Sequence, residues 1–111
     1  MKDIVSFDDF SKLDLRVGKV LKAETVEGSV NLIRLQVDFG KEIGERKILS
    51  GLAKFYLPKS LKGKKFMFVV NLAPKQMLKE QSQGMILVAD LAEFIKIIPV
   101  DKKIPEGTIV R

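Results

Sequence analysis

The chain has 111 residues, 46% of them apolar and 31% charged, which predicts one folded domain over residues 1–111 and excludes a second core or a disordered chain. It contains no cysteine and no histidine, which excludes disulfides, thiol nucleophiles, Cys/His zinc sites and imidazole catalysis. The formal net charge of +6 favours anionic partners.

A short helix is predicted over residues 7–13, because Ser6 and Asp9 have the spacing of an N-terminal capping box. A strand follows from residue 15, where apolar and polar side chains alternate. Gly18 interrupts this alternation and the apolar phase resumes at Val20, which predicts a β-bulge where a small sheet bends.

Residues 32–39 have the clearest strand pattern, with Leu35, Val37 and Phe39 on one face and polar side chains on the other. Residues 40–44 read as a turn, and residues 46–50 as the antiparallel partner strand. The glycines at 40 and 44 do not have the spacing of a phosphate-binding loop, and no Lys-Ser/Thr pair follows them.

A short helix is predicted over residues 52–56, ending before Pro58 because a residue that precedes proline avoids the helical region. The apolar run at 66–70 predicts a strand covered on both faces, and 85–89 predicts another. Residues 91–93 suit a turn, and short strands are expected at 94–100 and 107–110. Five strands with a helix between the third and fourth predict a mainly β fold, the OB-fold: a five-stranded Greek-key barrel with short helices and a C-terminal β extension. A β-sandwich remains an alternative.

Seven lysines and no acidic residue lie between Lys54 and Lys79, while the rest of the chain has 13 cations against 14 acids. Clustered lysines release counterions from a polyanion, which favours a nucleic-acid ligand over a merely solvated surface. We expect these lysines to form one basic wall. Because the chain has only seven Phe, one Tyr and no Trp, contacts with phosphates and overall RNA shape are expected more than stacking on bases.

No catalytic site is predicted. The neighbouring acids Asp8 and Asp9, and likewise Glu42 and Glu45, suit helix caps and solubilising turns better than acid–base catalysis. The segment at residues 80–85 offers amides, a hydroxyl and a methionine beside the basic run, which suits either a binding loop or a simple turn with Gly84 at positive φ.

Five segments, in order, resemble the tRNA-binding domain family that occurs as the C-terminal domain or separate beta chain of methionyl-tRNA synthetase and as free-standing structure-specific tRNA-binding proteins. They are DLRVGKV at 14–20, SGLAKFY at 50–56, LKGKK at 61–65, VNLAPK at 70–75 and EQSQGMIL at 80–87. The resemblance implies an OB-fold that forms a homodimer through an extension at about residues 90–111. It also implies non-catalytic binding of tRNA by shape, in trans with methionyl-tRNA synthetase or as a free-standing protein, with no cofactor or metal.

The resemblance also implies an RNA-binding face. Its motif positions are Asn71, Lys75, Ser82 and Met85, with Lys54, Lys64 and Lys65 as supporting phosphate contacts, and the basic run and polar loop add Lys79 and Gln83. The chain departs from the family at SVNL, residues 29–32, where many members read ADKL; Asn31 replaces a lysine and removes one phosphate contact.

A related branch of the family, a secretion chaperone, binds unfolded peptides in apolar pockets, and residues 38–44 resemble that branch. We favour tRNA binding, because residues 51–54 and 82–85 resemble the tRNA binders and lie on the expected binding face. The acidic N-terminal residues, where a signal peptide would be apolar, predict a cytoplasmic protein, and no apolar run is long enough to predict a membrane span.

Overall fold

The computed structural model describes residues 1–111 as a small barrel of short strands. In chain order the elements are α1 (Phe7–Ser11), β1 (Leu15–Thr25), β2 (Ile33–Asp38), α2 (Gly40–Ile43), β3 (Glu45–Ser50), a 3₁₀ helix (Pro58–Ser60), β4 (Lys65–Val69), β5 (Lys75–Met77), β6 (Glu80–Ser82), β7 (Met85–Ile86), β8 (Val88–Asp90), β9 (Ile95–Ile97) and β10 (Ile109–Val110). None of the helices has the length and apolar character needed to cross a membrane.

The main sheet has the antiparallel order β3-β2-β1-β4-β7, and β10 also pairs with β1. The free edge of β3 meets the chain between β6 and β7: the Gln83 amide N–H donates to the Lys47 carbonyl at 2.8 Å, and the Leu49 N–H donates to the Ser82 hydroxyl at 3.0 Å. These bonds nearly close the sheet on itself. The mainly β, OB-like barrel is therefore confirmed, including the antiparallel β2–β3 pair.

The core follows from the alternation in β2. Ile33, Leu35 and Val37 are fully buried inside the barrel, while the residues between them face outward. At the end of β2 the Phe39 ring meets Phe68 of β4 edge to face, with 5.2 Å between ring centroids. One strand face thus fills the barrel, as the sequence pattern predicts.

Strand β1 bends later than expected. Gly18 pairs in regular register with β4, and the irregularity lies between Val20 and Lys22, so the prediction of a bulge at Gly18 is wrong. The glycine serves packing instead: a Cβ atom there would lie 2.5 Å from a Val37 methyl carbon and 2.6 Å from the Phe39 ring. Only glycine lets β1 cross so close to the core.

Two further elements differ from expectation. Residues 52–56 make a single turn, closed by a 2.9 Å bond from the Tyr56 N–H to the Leu52 carbonyl, instead of a helix. Leu57 is extended because Pro58 follows it, so the turn cannot propagate, and only the 3₁₀ helix separates β3 from β4. The run at 85–89 divides into β7 and β8, and β8 pairs with β9 across the predicted turn at 91–93.

Helix α1 begins as predicted, with the Ser6 hydroxyl accepting a 3.0 Å hydrogen bond from the Asp9 N–H. It ends at Ser11, two residues before the predicted end. Beyond it, the Asn71 side chain accepts from the Asp14 N–H at 2.7 Å and donates to the Lys12 carbonyl at 2.6 Å. This amide joins the segment before β1 to the end of β4.

The last part of the chain, residues 98–111, is here called the C-terminal strap. Its strand β10 pairs with the start of β1, and Val17 exchanges backbone hydrogen bonds with Thr108 and Gly107. Buried Arg16 also binds the strap, donating to the Gly107 carbonyl at 3.1 Å. The same guanidinium donates to Asp14 at 2.6 Å and to Glu42 at 3.1 Å. The hydrogen bonds to Asp14 and then Glu42 raise the pKa of Arg16, so this buried cation stays charged.

Candidate nucleic-acid interface

The basic run is largely free to meet an anion. Lys54, Lys59, Lys62, Lys64, Lys75 and Lys79 are exposed and form no ion pair. Each of these ammonium groups is therefore available to a phosphate without first breaking an internal bond.

Lys65 is different from its neighbours in the run. Its ammonium donates to the carbonyls of Lys102 and Ile104 at 2.8 and 2.7 Å and lies 3.0 Å from the Glu106 carboxylate. Its side chain is 10% exposed. The hydrogen bond from Lys65 is the main reason that the pKa of Glu106 lies below its usual range. Lys65 thus holds the C-terminal strap, and its predicted contact with a phosphate would compete with these internal bonds.

Two of the free lysines lie near opposite ends of β4. Lys64 immediately precedes β4, at the end of that strand that pairs with Lys19. Lys75 lies beside Met85, which pairs with Val69 at the other end of β4. Four residues of extended strand place these ends roughly 13 Å apart. The free lysines therefore occur both before β4 and on the β5–β6 hairpin, and their forming one basic wall stays a prediction.

The β5–β6 hairpin is held in place by an ion network on the outer face of β2 and β3. Arg34 donates to both oxygens of Glu80 at 2.7 and 2.6 Å, Lys47 lies 3.2 Å from the same carboxylate, and Arg34 also lies 3.1 Å from Glu24. The hydrogen bonds from Arg34 first, and Lys47 second, lower the pKa of Glu80 to about 2. This carboxylate is ionised at neutral pH and fixes the hairpin that carries Lys75 and Lys79.

Three of the expected RNA-binding residues have internal bonds. Asn71 connects the segment before β1 to the end of β4, as described above. The Ser82 hydroxyl is buried, accepts from the Leu49 N–H at 3.0 Å and donates to the Gly84 carbonyl at 2.9 Å. The Gln83 side-chain oxygen accepts from the Lys47 N–H at 2.9 Å and continues the closure of the barrel. These contacts explain the residue types structurally; their contact with RNA stays a prediction.

The structure does bring Lys75, Ser82 and Met85 together, in a cavity of about 360 Å³ that we call the Lys75 pocket. It is lined by Leu49, Leu72, Ala73, Lys75, Met77, Ser82, Gly84 and Met85. Gly84 has φ 145°, and a Cβ atom there would lie 2.8 Å from the Val69 carbonyl oxygen. Glycine therefore lets the chain pass close to β4 and turn Met85, which is 47% exposed, toward the pocket.

The β5–β6 hairpin was not predicted from the sequence, nor were several residues that line the Lys75 pocket or hold the hairpin in place. Leu72 and Met77 line the pocket although nothing in their local pattern marks them, and Arg34 with Lys47 anchors the hairpin from distant strands. The hairpin turn has Leu78 at φ 55°, without the glycine that normally signals such a turn. The only local indication of the hairpin in the sequence is the carboxylate of Glu80, which directly follows the last lysine of the run.

The chain matches the family model described as "Putative tRNA binding domain" over residues 15–109. It is 43% identical over 107 residues to Methionine–tRNA ligase 1 of Bacillus anthracis, covering 96% of this chain and 16% of that protein. It is 46% identical over 109 residues to Methionine–tRNA ligase of Methanocorpusculum labreanum, covering 98% of this chain and 16% of that protein. The chain thus spans about one sixth of the length of these curated relatives.

Two solved structures are similar along their whole length. A protein from Pyrococcus horikoshii described as MetRS related has a TM-score of 0.93 at 41% identity, covering 99% of this chain and 100% of that one. Chaperone CsaA from Bacillus anthracis str. Ames has a TM-score of 0.88 at 33% identity, covering 98% and 100%. The same fold therefore carries both a synthetase-related and a chaperone description.

Proposed function

Because the chain belongs to the family of putative tRNA-binding domains, we propose that it binds tRNA without catalysing a reaction on it. It acts in trans with methionyl-tRNA synthetase or as a free-standing tRNA-binding protein. The observation that carries the proposal is the set of six exposed, unpaired lysines in a segment without any acid. The similarity to methionine–tRNA ligases supports the choice of tRNA and of the synthetase.

The binding is directed by the shape of the RNA. Lysine ammonium groups contact phosphates, which position an RNA but carry little sequence information. Two of the polar side chains expected on the binding face, Asn71 and Ser82, have hydrogen-bond partners within the protein. Two lysine groups at opposite ends of β4 suit a ligand whose phosphates extend across the barrel.

The functional unit is a homodimer that joins through about residues 90–111. Ile109 of β10 is exposed beside Phe7, Phe10 and Leu13 of the N-terminal segment, and these side chains border one cavity of about 620 Å³. A second copy would cover this apolar surface. Sedimentation velocity measures the mass in solution, and a monomer at micromolar concentration contradicts this part of the proposal.

A second candidate function is peptide binding by a chaperone. Its support is the similarity to chaperone CsaA together with apolar side chains exposed at the Lys75 pocket. Apolar burial is little affected by salt, whereas phosphate contacts are strongly affected. Salt dependence therefore separates the two functions.

The test is filter binding of bulk tRNA over a series of salt concentrations. If about four to six phosphates are neutralised, the logarithm of the affinity falls with the logarithm of salt concentration with a slope between about −3 and −5. Lys75→Ala with Lys79→Ala reduces the slope by about 1.5, equally for all tRNAs. The control, Lys22→Ala with Lys41→Ala, removes the same charge from exposed, unpaired positions outside both the run and residues 90–111, and leaves the slope unchanged.

A slope near zero contradicts tRNA binding. If the protein suppresses the aggregation of other proteins but retains no tRNA, the second candidate function, peptide binding by a chaperone, is supported instead. A loss confined to one tRNA contradicts shape-directed binding, because it indicates that bases are being read.

A further inference from the structure

The Lys75 pocket has an apolar lining that the barrel itself does not need. Leu72 and Met85 are 40% and 47% exposed at its border, and Met77 and Ala73 complete its apolar wall. Exposed apolar side chains that converge on one cavity are commonly a binding surface. The two methionines add polarizable thioether groups, which make favourable contacts with aromatic rings.

The pocket offers little hydrogen bonding to a ligand. Its hydroxyl, Ser82, already accepts from Leu49 and donates to Gly84 within the protein. A flat ring in this pocket would be held by its face, without recognition of its edge groups.

One cation completes the lining, and it selects the kind of ligand. Lys75 is exposed and unpaired, and no acidic residue lines the pocket. An apolar side chain of a peptide gains nothing from this ammonium, whereas a nucleotide presents a ring and a phosphate together. The combined chemistry therefore favours a nucleotide over a peptide.

We propose that the Lys75 pocket receives one unstacked nucleobase of a bound RNA, while Lys75 neutralises an adjacent phosphate. This inference rests on the proposed tRNA-binding function and adds to it a site for an unpaired nucleotide. Because the only free side-chain hydrogen-bonding group of the pocket is the Lys75 ammonium, which the phosphate occupies, the site accepts any base. It gives the interface a preference for unpaired positions over continuous duplex.

The experiment compares two single-stranded oligoribonucleotides of about eight residues, a length within the usual range of such sites. One has 2-aminopurine at its centre, and the other has an abasic residue there. Both strands carry the same fluorescein label at one end, and their affinities are measured by fluorescence anisotropy at low salt, together with retention of bulk tRNA in the same buffer. We expect the base-containing strand to bind roughly threefold to tenfold more tightly than the abasic strand.

Met85→Ala abolishes this difference, and Leu72→Ala reduces it as a second variant on the same pocket. Lys75→Ala weakens binding of both strands by a similar factor, because it removes a phosphate contact. Val30→Ala is the control: its side chain is 79% exposed before β2, outside the pocket and outside residues 90–111, and both affinities stay unchanged. Thermal unfolding of each variant confirms that it is folded.

Equal affinity of the wild-type protein for the two strands overturns the inference, and so does a difference that persists in Met85→Ala. Failure to bind either strand while tRNA is retained also overturns it and leaves the proposed function intact. Failure to retain tRNA removes both. Displacement of the base-containing strand by an apolar peptide that binds equally well to Lys75→Ala assigns the pocket to peptides instead.

Discussion

Two adjacent lysines, Lys64 and Lys65, provide a matched test of the distinction between binding cations and structural cations. Both belong to the same basic run, yet Lys64 is exposed and unpaired while Lys65 holds the C-terminal strap. Replacing each separately by methionine keeps most of the aliphatic stem and removes the ammonium. The two variants have the same net charge, so any difference between them comes from the local contacts.

The structure sets the size of the expected effects. Lys65→Met leaves the carbonyls of Lys102 and Ile104 without their donor and Glu106 without its partner. A hydrogen bond to a charged group contributes about 1.5–3 kcal/mol, and partial exposure of this cluster reduces the total to about 3 kcal/mol. For a domain of this size that loss lowers the melting temperature by roughly 12 °C. Lys64→Met changes stability by less than about 0.5 kcal/mol.

The assays are thermal unfolding by circular dichroism and tRNA binding over a salt series. Lys64→Met should reduce the salt slope by about 0.7 to 0.9 and leave the melting temperature unchanged. Lys65→Met should lower the melting temperature and leave the slope unchanged at a temperature where the variant is folded. The reasoning is refuted if Lys65→Met melts within about 3 °C of the wild type, or if it changes the slope as much as Lys64→Met does.

Three other predictions concern the barrel and its hairpin. Gly18→Ala destabilises the protein by about 1–3 kcal/mol in urea unfolding, because its Cβ atom overlaps Val37 and Phe39; an unchanged midpoint contradicts this close contact. The carboxylate of Glu80 stabilises the folded state fully above pH 4.5, and this contribution is lost as the pH falls toward 2. In Glu80→Gln, the stability to unfolding should lose this part of its dependence on pH. An acid unfolding transition identical to that of the wild type argues against the ion network. Asn71→Ala lowers stability by about 1–2 kcal/mol without changing the affinity for tRNA, and a weaker affinity at unchanged stability shows instead that the amide serves RNA.

Much of the barrel was predictable because the determining signals are local. The alternation in β2 identifies its buried face directly, and the glycines at 40 and 44 mark the short connection to the antiparallel partner β3, although this connection forms helix α2 where a turn was predicted. The β5–β6 hairpin was not predictable, because its turn residue Leu78 has an uncommon positive φ and its position depends on Arg34, which lies far away in the sequence. The helix predicted over residues 52–56 does not form beyond one turn. Leu57 is extended because Pro58 follows it, and this local constraint outweighs the helical propensity of the segment.

The candidate site was predictable only as a segment. The composition of the run correctly identifies a region where most lysines are exposed and unpaired. It cannot distinguish Lys64 from Lys65, since the burial of Lys65 depends on residues 102–106 folding back over β4. Nor can it show that Lys64 and Lys75 lie near opposite ends of β4, because that arrangement exists only in three dimensions.

The pairing of β1 has a consequence for the order in which the protein folds. Leu15 lies opposite Val69 on one side and opposite Val110 on the other, so the first long strand is completed by nearly the last residue. Contacts so distant along the chain are formed late and slowly, since the intervening loop must close first. During synthesis the start of β1 therefore keeps one edge without a partner until Ile109 and Val110 have been made, and deleting these two residues exposes that edge permanently.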